Sequence, residues 1–229
     1  SPLSLAISAE NPERYDIISN GVVVNGRISG GSIKGFLDAV DYYEDVRSRL
    51  NYLAASITKN FNIQHMLGYA LDSSTGVKFF SDPVVGAQAS ANNTGGALIT
   101  AGAVADYSLL TLNDYEIRFL SPASYNIVNK TTGAVVSGGV YSSGSPLLFD
   151  GISVTITDNP APPSTGDVFT VSLTDNAARN FSVAITDPDK IAAAGTLTGI
   201  PGDNINALQL VALKDLSLTD GATFSEYYR

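Results

Sequence analysis

Between Ile33 and Met66 the chain repeats a packing position in alternating steps of four and three, through Phe36, Val40, Tyr43, Arg47, Leu50, Ala54, Ile57, Phe61 and Gln64. A recurrence of 3.5 residues marks a helix with one seam of the coiled-coil kind. At about 1.5 Å per residue it would run roughly 50 Å, beyond the usual globular length. Such a helix cannot bury its seam against itself, so it needs helical partners along its length. Ser32 is placed to cap its start, and Gly68 stands where a left-handed residue would end it. Arg47 and Gln64 interrupt the apolar seam, and buried polar residues at such positions set register rather than add stability.

The flanking sequence is different in kind. Ahead of the helix, Ile17, Ile18 and Val22 to Val24 surround Asn20-Gly21, with Asn25-Gly26 following, and Asn-Gly supplies the positive φ angles of a two-residue hairpin turn. From about Phe79 to Ile185 the runs YEIRFL, YNIVN, AVVS, PLLFDGISVTIT, DVFTVSL and FSVAI read as short strands separated by turn chemistry such as KTTG and SSGS. Their spacing predicts an antiparallel sandwich or barrel. Helical signals return after Gly199 to Gly202, where Asp203 or Asn204 can cap NALQLVALKDL, and Thr223 with Glu226 forms a capping box opening a further helix. The expected fold class is α+β. A discontinuous α-helical rod domain with long helices, residues 1–80 with 190–229 and including a short N-terminal hairpin, is interrupted by an inserted antiparallel β domain, residues 81–189.

Charge and composition narrow the function. A net charge of −9 repels phosphate backbones and anionic lipid heads, which argues against nucleic-acid and membrane partners. No apolar run reaches the roughly 18 to 20 residues of a membrane span, and the first residues show no basic stretch followed by an apolar one. With no cysteine in the chain, disulfides, thiolate catalysis and cysteine-ligated metals are excluded.

Few residues could carry chemistry. His65 is the one histidine; on the last turn of a helix it can bond free carbonyls and complement the negative end of the dipole, and this structural role outweighs a catalytic one. Asp38, Asp41, Glu44 and Asp45 crowd the first half of the long helix, where acids are favoured, with Glu44–Arg47 and Asp45–Arg49 at pairing distance. Asp72, Ser74 and Gly76 share too little with a calcium loop to suggest calcium. Asn92, Asn129 and Asn180 each open an Asn-x-Ser/Thr triplet, as chance would supply in so Asn-, Ser- and Thr-rich a chain. No cofactor or metal is expected.

Three blocks carry a resemblance when taken together: N-x-Q-H-x-x-G-Y (Asn62, Gln64, His65, Gly68, Tyr69), G-D-N-x-N-A-L (Asp203, Asn204, Asn206, Ala207, Leu208) and T-F-x-x-Y-Y (Thr223, Phe224, Tyr227, Tyr228). In this order, with LLFDGISVTI and GDVFTVSL between them, the chain resembles the FlgK family of flagellar hook-associated proteins from about Gly30 onward. The resemblance implies a structural, non-enzymatic subunit of the extracellular bacterial flagellum that joins hook to filament through subunit packing. It implies self-assembly into a ring in the full-length form, with the hook protein and the adjacent hook-filament junction protein as partners. It also implies secretion by the flagellar type III export apparatus and an export chaperone that binds a C-terminal region. Measured against that family the chain reads as a portion lacking both termini, and by itself monomeric. Within this frame the N-x-Q-H-x-x-G-Y block positions the chain as it leaves the rod. Two rival readings are a secreted adhesin or carbohydrate-binding module, using Tyr107, Tyr125 and Tyr141 in exposed loops, and a hydrolase built on His65 with an aspartate and a serine.

Overall fold

The computed structural model describes residues 2–8 and 14–229. Ser1 and residues 9–13 lie outside it, and with them part of the reading of the first residues as free of a leader. The chain opens with β1 (Leu3–Ile7), β2 (Tyr15–Ser19) and β3 (Val22–Val23), a three-stranded antiparallel sheet in that order. The β2–β3 turn is Asn20-Gly21 with φ of 51° and 76°, pairing Ser19 with Val22, so the Asn-Gly hairpin forms as its backbone chemistry dictates. The second Asn-Gly does not form a hairpin turn. Residues Asn25–Arg27 make a single 3-10 turn because the Asn25 side chain is drawn back onto β2, accepting from Ile17 N at 2.7 Å and donating to Asp16 at 2.8 Å.

Helix α1 (Gly31–Leu67) is a single run of 37 residues. Its cap is Gly30 without a side-chain bond, so Ser32 lies inside the helix and not before it. The buried positions are also displaced from the expected seam. Its second half buries Asn51, Ala55, Thr58, Asn62 and His65, in steps of four and three but one residue on from Leu50, Ala54, Ile57, Phe61 and Gln64. Ala54 is buried as well, yet the stripe is mainly polar or small. One residue turns the helix by 100°, and Asn51, Asn62 and His65 face inward because their side chains satisfy backbone groups of the surrounding chain. Along the first half, Phe36 (74%), Tyr42 (73%) and Tyr43 (62%) stand exposed.

Beyond α1 come eight strands: β4 (Gly86–Ala89), β5 (Leu98–Val104), β6 (Tyr115–Ser121), β7 (Ser124–Asn129), β8 (Val135–Val140), β9 (Pro146–Phe149), β10 (Ile152–Thr157) and β11 (Val168–Ser172). They form two antiparallel sheets, β5-β10-β9 and β4-β11-β6-β7-β8. Alternation explains the core: Tyr115, Ile117 and Phe119 of β6 and Ile152, Val154 and Ile156 of β10 all point into one apolar cluster. Phe119 packs edge-on to Tyr141 and Phe169 at centroid distances of 5.1 and 5.8 Å. The run FSVAI is not a strand. It contributes the lone bridge Phe80–Val183 and a ring contact from Phe181 to Phe80 at 4.6 Å, because it crosses the outgoing chain once and joins neither sheet. Strands β4 and β5, rich in Ala and Gly, carry no run that the sequence would mark.

The chain ends in α2 (Ile205–Ala212) and α3 (Phe224–Tyr228). These two short helices pack on α1, α2 at Gln64 and α3 around Arg49 and Tyr52. The architecture is α+β, with one long helix and several antiparallel sheets.

Two glycines share a positive φ but not a neighbourhood. Gly21 (76°) has open space where a Cβ would go, whereas at Gly151 (77°), in the β9–β10 turn, a Cβ would strike Asp106 and Leu110 backbone. Gly21→Ala is expected to cost about 1 kcal/mol from backbone conformation alone. Gly151→Ala is expected to cost about 3 kcal/mol or more, since the strain and the clash add. Urea unfolding of the two variants distinguishes these costs.

Candidate functional site

The signature residues gather where the chain leaves α1 and where it later returns. Asn62, fully buried, uses all four of its hydrogen-bonding positions. Its Oδ1 accepts from Phe79 N (3.0 Å) and Phe80 N (2.8 Å), and its Nδ2 donates to Phe80 O (2.9 Å) and Tyr107 Oη (3.0 Å). Tyr107 in turn donates to Asp82 at 2.9 Å, with Lys78 over its ring; burial pushes its phenol upward from the ordinary value. One carboxamide therefore fixes the outgoing segment and a loop of the β region together.

One turn on, His65 is fully buried with each ring nitrogen engaged. Nδ1 lies 2.7 Å from Val77 O and Nε2 lies 2.9 Å from Ala192 N. A carbonyl can only accept and an amide N–H can only donate, so Nδ1 carries the proton and the ring is neutral. Burial holds its pKa below 6.5, opposed in part by the Val77 carbonyl. The structural role expected of His65 thus takes another form: it bonds the departing and returning segments, and a buried neutral ring does not complement the helix dipole.

Gln64 reaches α2, donating to Asn206 Oδ1 (2.7 Å) and Gln209 Oε1 (2.8 Å). Buried Asn206 donates to Ala192 O at 2.6 Å. Gly68 ends α1 with φ −89° and ψ 176°, an extended and not a left-handed conformation. Its glycine is demanded by space: a Cβ would run into the Asn206 side chain and the Ala192 carbonyl. Tyr69 exchanges both backbone bonds with Ala194, at 2.8 and 3.1 Å. Ala207 N donates to Ala193 O at 3.0 Å, while Leu208 is exposed.

Asp203 gathers the amides of Gly195 (2.9 Å), Thr196 (3.1 Å) and Ile205 (2.9 Å), which hold its carboxyl below the usual range, the Ile205 bond first. Asn204 occupies the cap position of α2 without a side-chain bond. Thr223 and Glu226 form the capping box of α3, with bonds of 3.2 and 2.9 Å. Phe224 is half-buried and Tyr228 exposed. Tyr227 packs on Tyr52 at 5.5 Å and beneath Arg49, which donates to its carbonyl rather than pairing with Asp45.

Arg47 stands apart from this group. It pairs with Glu44 at 2.7 Å and lines a polar cavity of about 220 Å³ between α1 and the β strands, with Asn51, Asp114 and Lys130. Sequence reasoning missed further inward polar groups of α1. Asn51 accepts from Ala178 N at 3.0 Å, and Ser56 bonds Thr219 Oγ1 at 3.0 Å and Leu218 O at 3.1 Å. Their signal was an absence of large apolar residues on that face.

The geometry removes both rival readings. His65 has no ring nitrogen left for a nucleophile or water and no path to solvent, so it cannot serve a hydrolase. Tyr107 and Tyr141 are buried and Tyr125 half-buried, because their rings complete the β core; they offer no exposed aromatic platform. Asp72 is engaged by Ser74 at 2.9 Å and Lys190 at 2.9 Å, a turn closed by an ion pair.

Residues 1–80 match the model of the flagellar hook-associated protein FlgK helical domain, and residues 88–173 that of the flagellar hook-associated protein 1, D2-like domain. Flagellar hook-associated protein 1 of Escherichia coli (strain K12) is 29% identical over 208 residues, which cover 88% of this chain and 36% of the relative. The flagellar hook junction protein FlgK from Burkholderia pseudomallei superposes with a TM-score of 0.60 at 27% identity, over 84% of this chain and 36% of that one. The chain therefore spans about a third of the length of the relatives it matches.

Removing the Asn62 carboxamide strands three backbone groups of Phe79 and Phe80, so Asn62→Ala is expected to cost about 3–5 kcal/mol in urea unfolding. Gly68→Ala should destabilise by about 2–4 kcal/mol. Part of that loss should be recovered in an Asn206→Ala background, a coupling of about 1 kcal/mol or more in a double-mutant cycle.

Proposed function

On the premise that this chain belongs to the flagellar hook-associated protein FlgK family, we propose that it is the part of a hook-filament junction subunit that carries a rod and an inserted outer domain. Its role in that subunit is structural, joining hook to filament by packing rather than by turnover. The observation that carries this reading is the order of the matched domains along the chain, 1–80 then 88–173, set beside the point where the chain leaves α1 at Tyr69 and rejoins it at Ala194. That crossing supports dividing the chain into a rod of residues 1–80 with 190–229 and an insert of residues 81–189. Two sheets around one apolar core support reading the insert as sandwich- or barrel-like.

Assembly in this proposal runs through the rods side by side. The exposed half of α1, with Phe36, Val40 and Tyr43 on its heptad seam, supplies apolar surface of the kind that marks an interaction site. The signature blocks act as the joint that holds rod and insert at a fixed angle, with Gln64 setting the register of α2. The hook protein, the adjacent junction protein, further copies in a ring and an export chaperone are the partners this reading names, and the flagellum outside the cell is its location. No helix of the described residues is long and apolar enough to cross a membrane.

Sedimentation of this chain is expected to show a monomer, and the full-length subunit to associate with hook protein and the adjacent junction protein. Placing Phe36→Asp with Tyr43→Asp in the full-length subunit should abolish complementation of a motility-defective strain while leaving the unfolding midpoint of this chain within a few degrees. Normal swimming with both substitutions present would remove the side-by-side packing of rods from the account.

A further inference from the structure

The bonds at the end of α1 have a property that the structural role does not use. Both ring nitrogens of His65 face backbone groups of opposite polarity, an acceptor at Val77 and a donor at Ala192, inside a site closed to water. A second proton on the ring would sit at Nε2 and point at the Ala192 N–H, donor against donor, with no solvent to accept it.

We propose that His65 is an acid-opened clasp: protonation at Nε2 breaks the bond to Ala192 and frees the returning segment and α2 from the end of α1, while the sheets stay folded. The path is short and continuous. Ala192 is held from one side by His65 Nε2 and from the other by Asn206, whose carboxamide is held by Gln64. Ala194 and Ala207 complete the same seam through Tyr69 and Ala193. Once Ala192 moves, the α2 contact loses its central bond and the Gly68–Asn206 nesting loses its backing.

No neighbouring charge rescues the imidazolium. On the outgoing segment Lys78 is paired with Asp82 at 2.7 Å. Across the crossing Lys190 is paired with Asp72 at 2.9 Å. Ahead of α2, Asp203 is committed to backbone amides. Within α2 itself, INALQLVA offers no titratable side chain, and Lys59 on α1 is a cation, which could only oppose a second positive charge. Burial lowers the ring's pKa and the Val77 carbonyl raises it, while the uncharged Phe79 ring packs edge-on against it at 5.5 Å.

The sign follows from this burial. Because the folded pKa lies below 6.5, the clasp's contribution to stability is fully present above pH 6.5. It is lost progressively as pH falls below 6.5, where the open form takes up the proton, and the loss is complete once pH has passed the lower folded value.

The test is an NMR titration of this chain from pH 7.5 to 4.5, following the His65 ring and the amide protection factors corrected for the intrinsic pH dependence of exchange. Below the onset, protection at Ala192, Ala194 and Ala207 should fall by about tenfold per pH unit, the limit for one coupled proton. The core amide of Phe119, bonded to Asp167 O at 2.9 Å, should keep its protection. His65→Gln, which can donate and accept without titrating, should lose this pH dependence. Unchanged protection at the three amides while His65 titrates would overturn the proposal, as would equal loss at Phe119 or the same acid opening in the Gln variant. If that variant fails to fold, the wild-type titration decides alone.

Discussion

The carboxamide of Asn62 is the constraint on which the rest of the arrangement hangs. A chain that leaves a helix, builds two sheets and comes back must cross itself at the boundary. The backbone groups of the crossing belong to neither helix nor sheet, and left unpaired in a dry site each would cost about 1–3 kcal/mol. Asn62 answers the outgoing segment, His65 joins outgoing to returning, and Asn206 answers the returning one. Apolar residues of equal volume could fill the space but could not pair those groups, which is why the most buried face of α1 is polar.

That chemistry also divides α1 into two unlike halves. From Asn51 onward its inward face is spent on the same molecule, through Ala178, Thr219, Phe79 and Ala192. Before Asn51 the seam carries Phe36 and Tyr43 largely in solvent and Val40 partly so, with Phe36 and Val40 beside Leu3, Leu5 and Ile17 of the N-terminal hairpin. One helix thus serves as a foundation at one end and as a partly open rail at the other, and the junction role proposed for the chain needs both.

What the sequence disclosed and what it withheld divide along the same physical line. Features fixed by local chemistry were legible: the Asn20-Gly21 turn, the alternation of β6 and β10, the Thr223–Glu226 box and the length of α1. Features fixed by distant partners were not. The seam was read from apolar residues and fell one position off, because Asn51, Asn62 and His65 face inward for backbone partners that no periodicity announces. Gly68 looked like a helix terminator of the left-handed kind, but the reason for glycine there is a side chain from far along the chain, Asn206. Strands β4 and β5 escaped notice because Ala and Gly carry little strand signal, and FSVAI carried a strand signal with no sheet to join.

The bond from His65 to Ala192 spans 127 residues of sequence, and this separation bears on the order in which the molecule takes shape. Closing a flexible loop of that length costs on the order of 4 kcal/mol of chain entropy, far more than one hydrogen bond returns. The pairing of Gly86 with Ser172 across β4 and β11 removes most of that burden beforehand, because it draws the two ends of the intervening chain together once the sheets exist. The seam at the end of α1 is then a late event whose cost the sheets have already met. A newly made chain in which those strands are delayed would hold a finished long helix with nothing yet able to close on it.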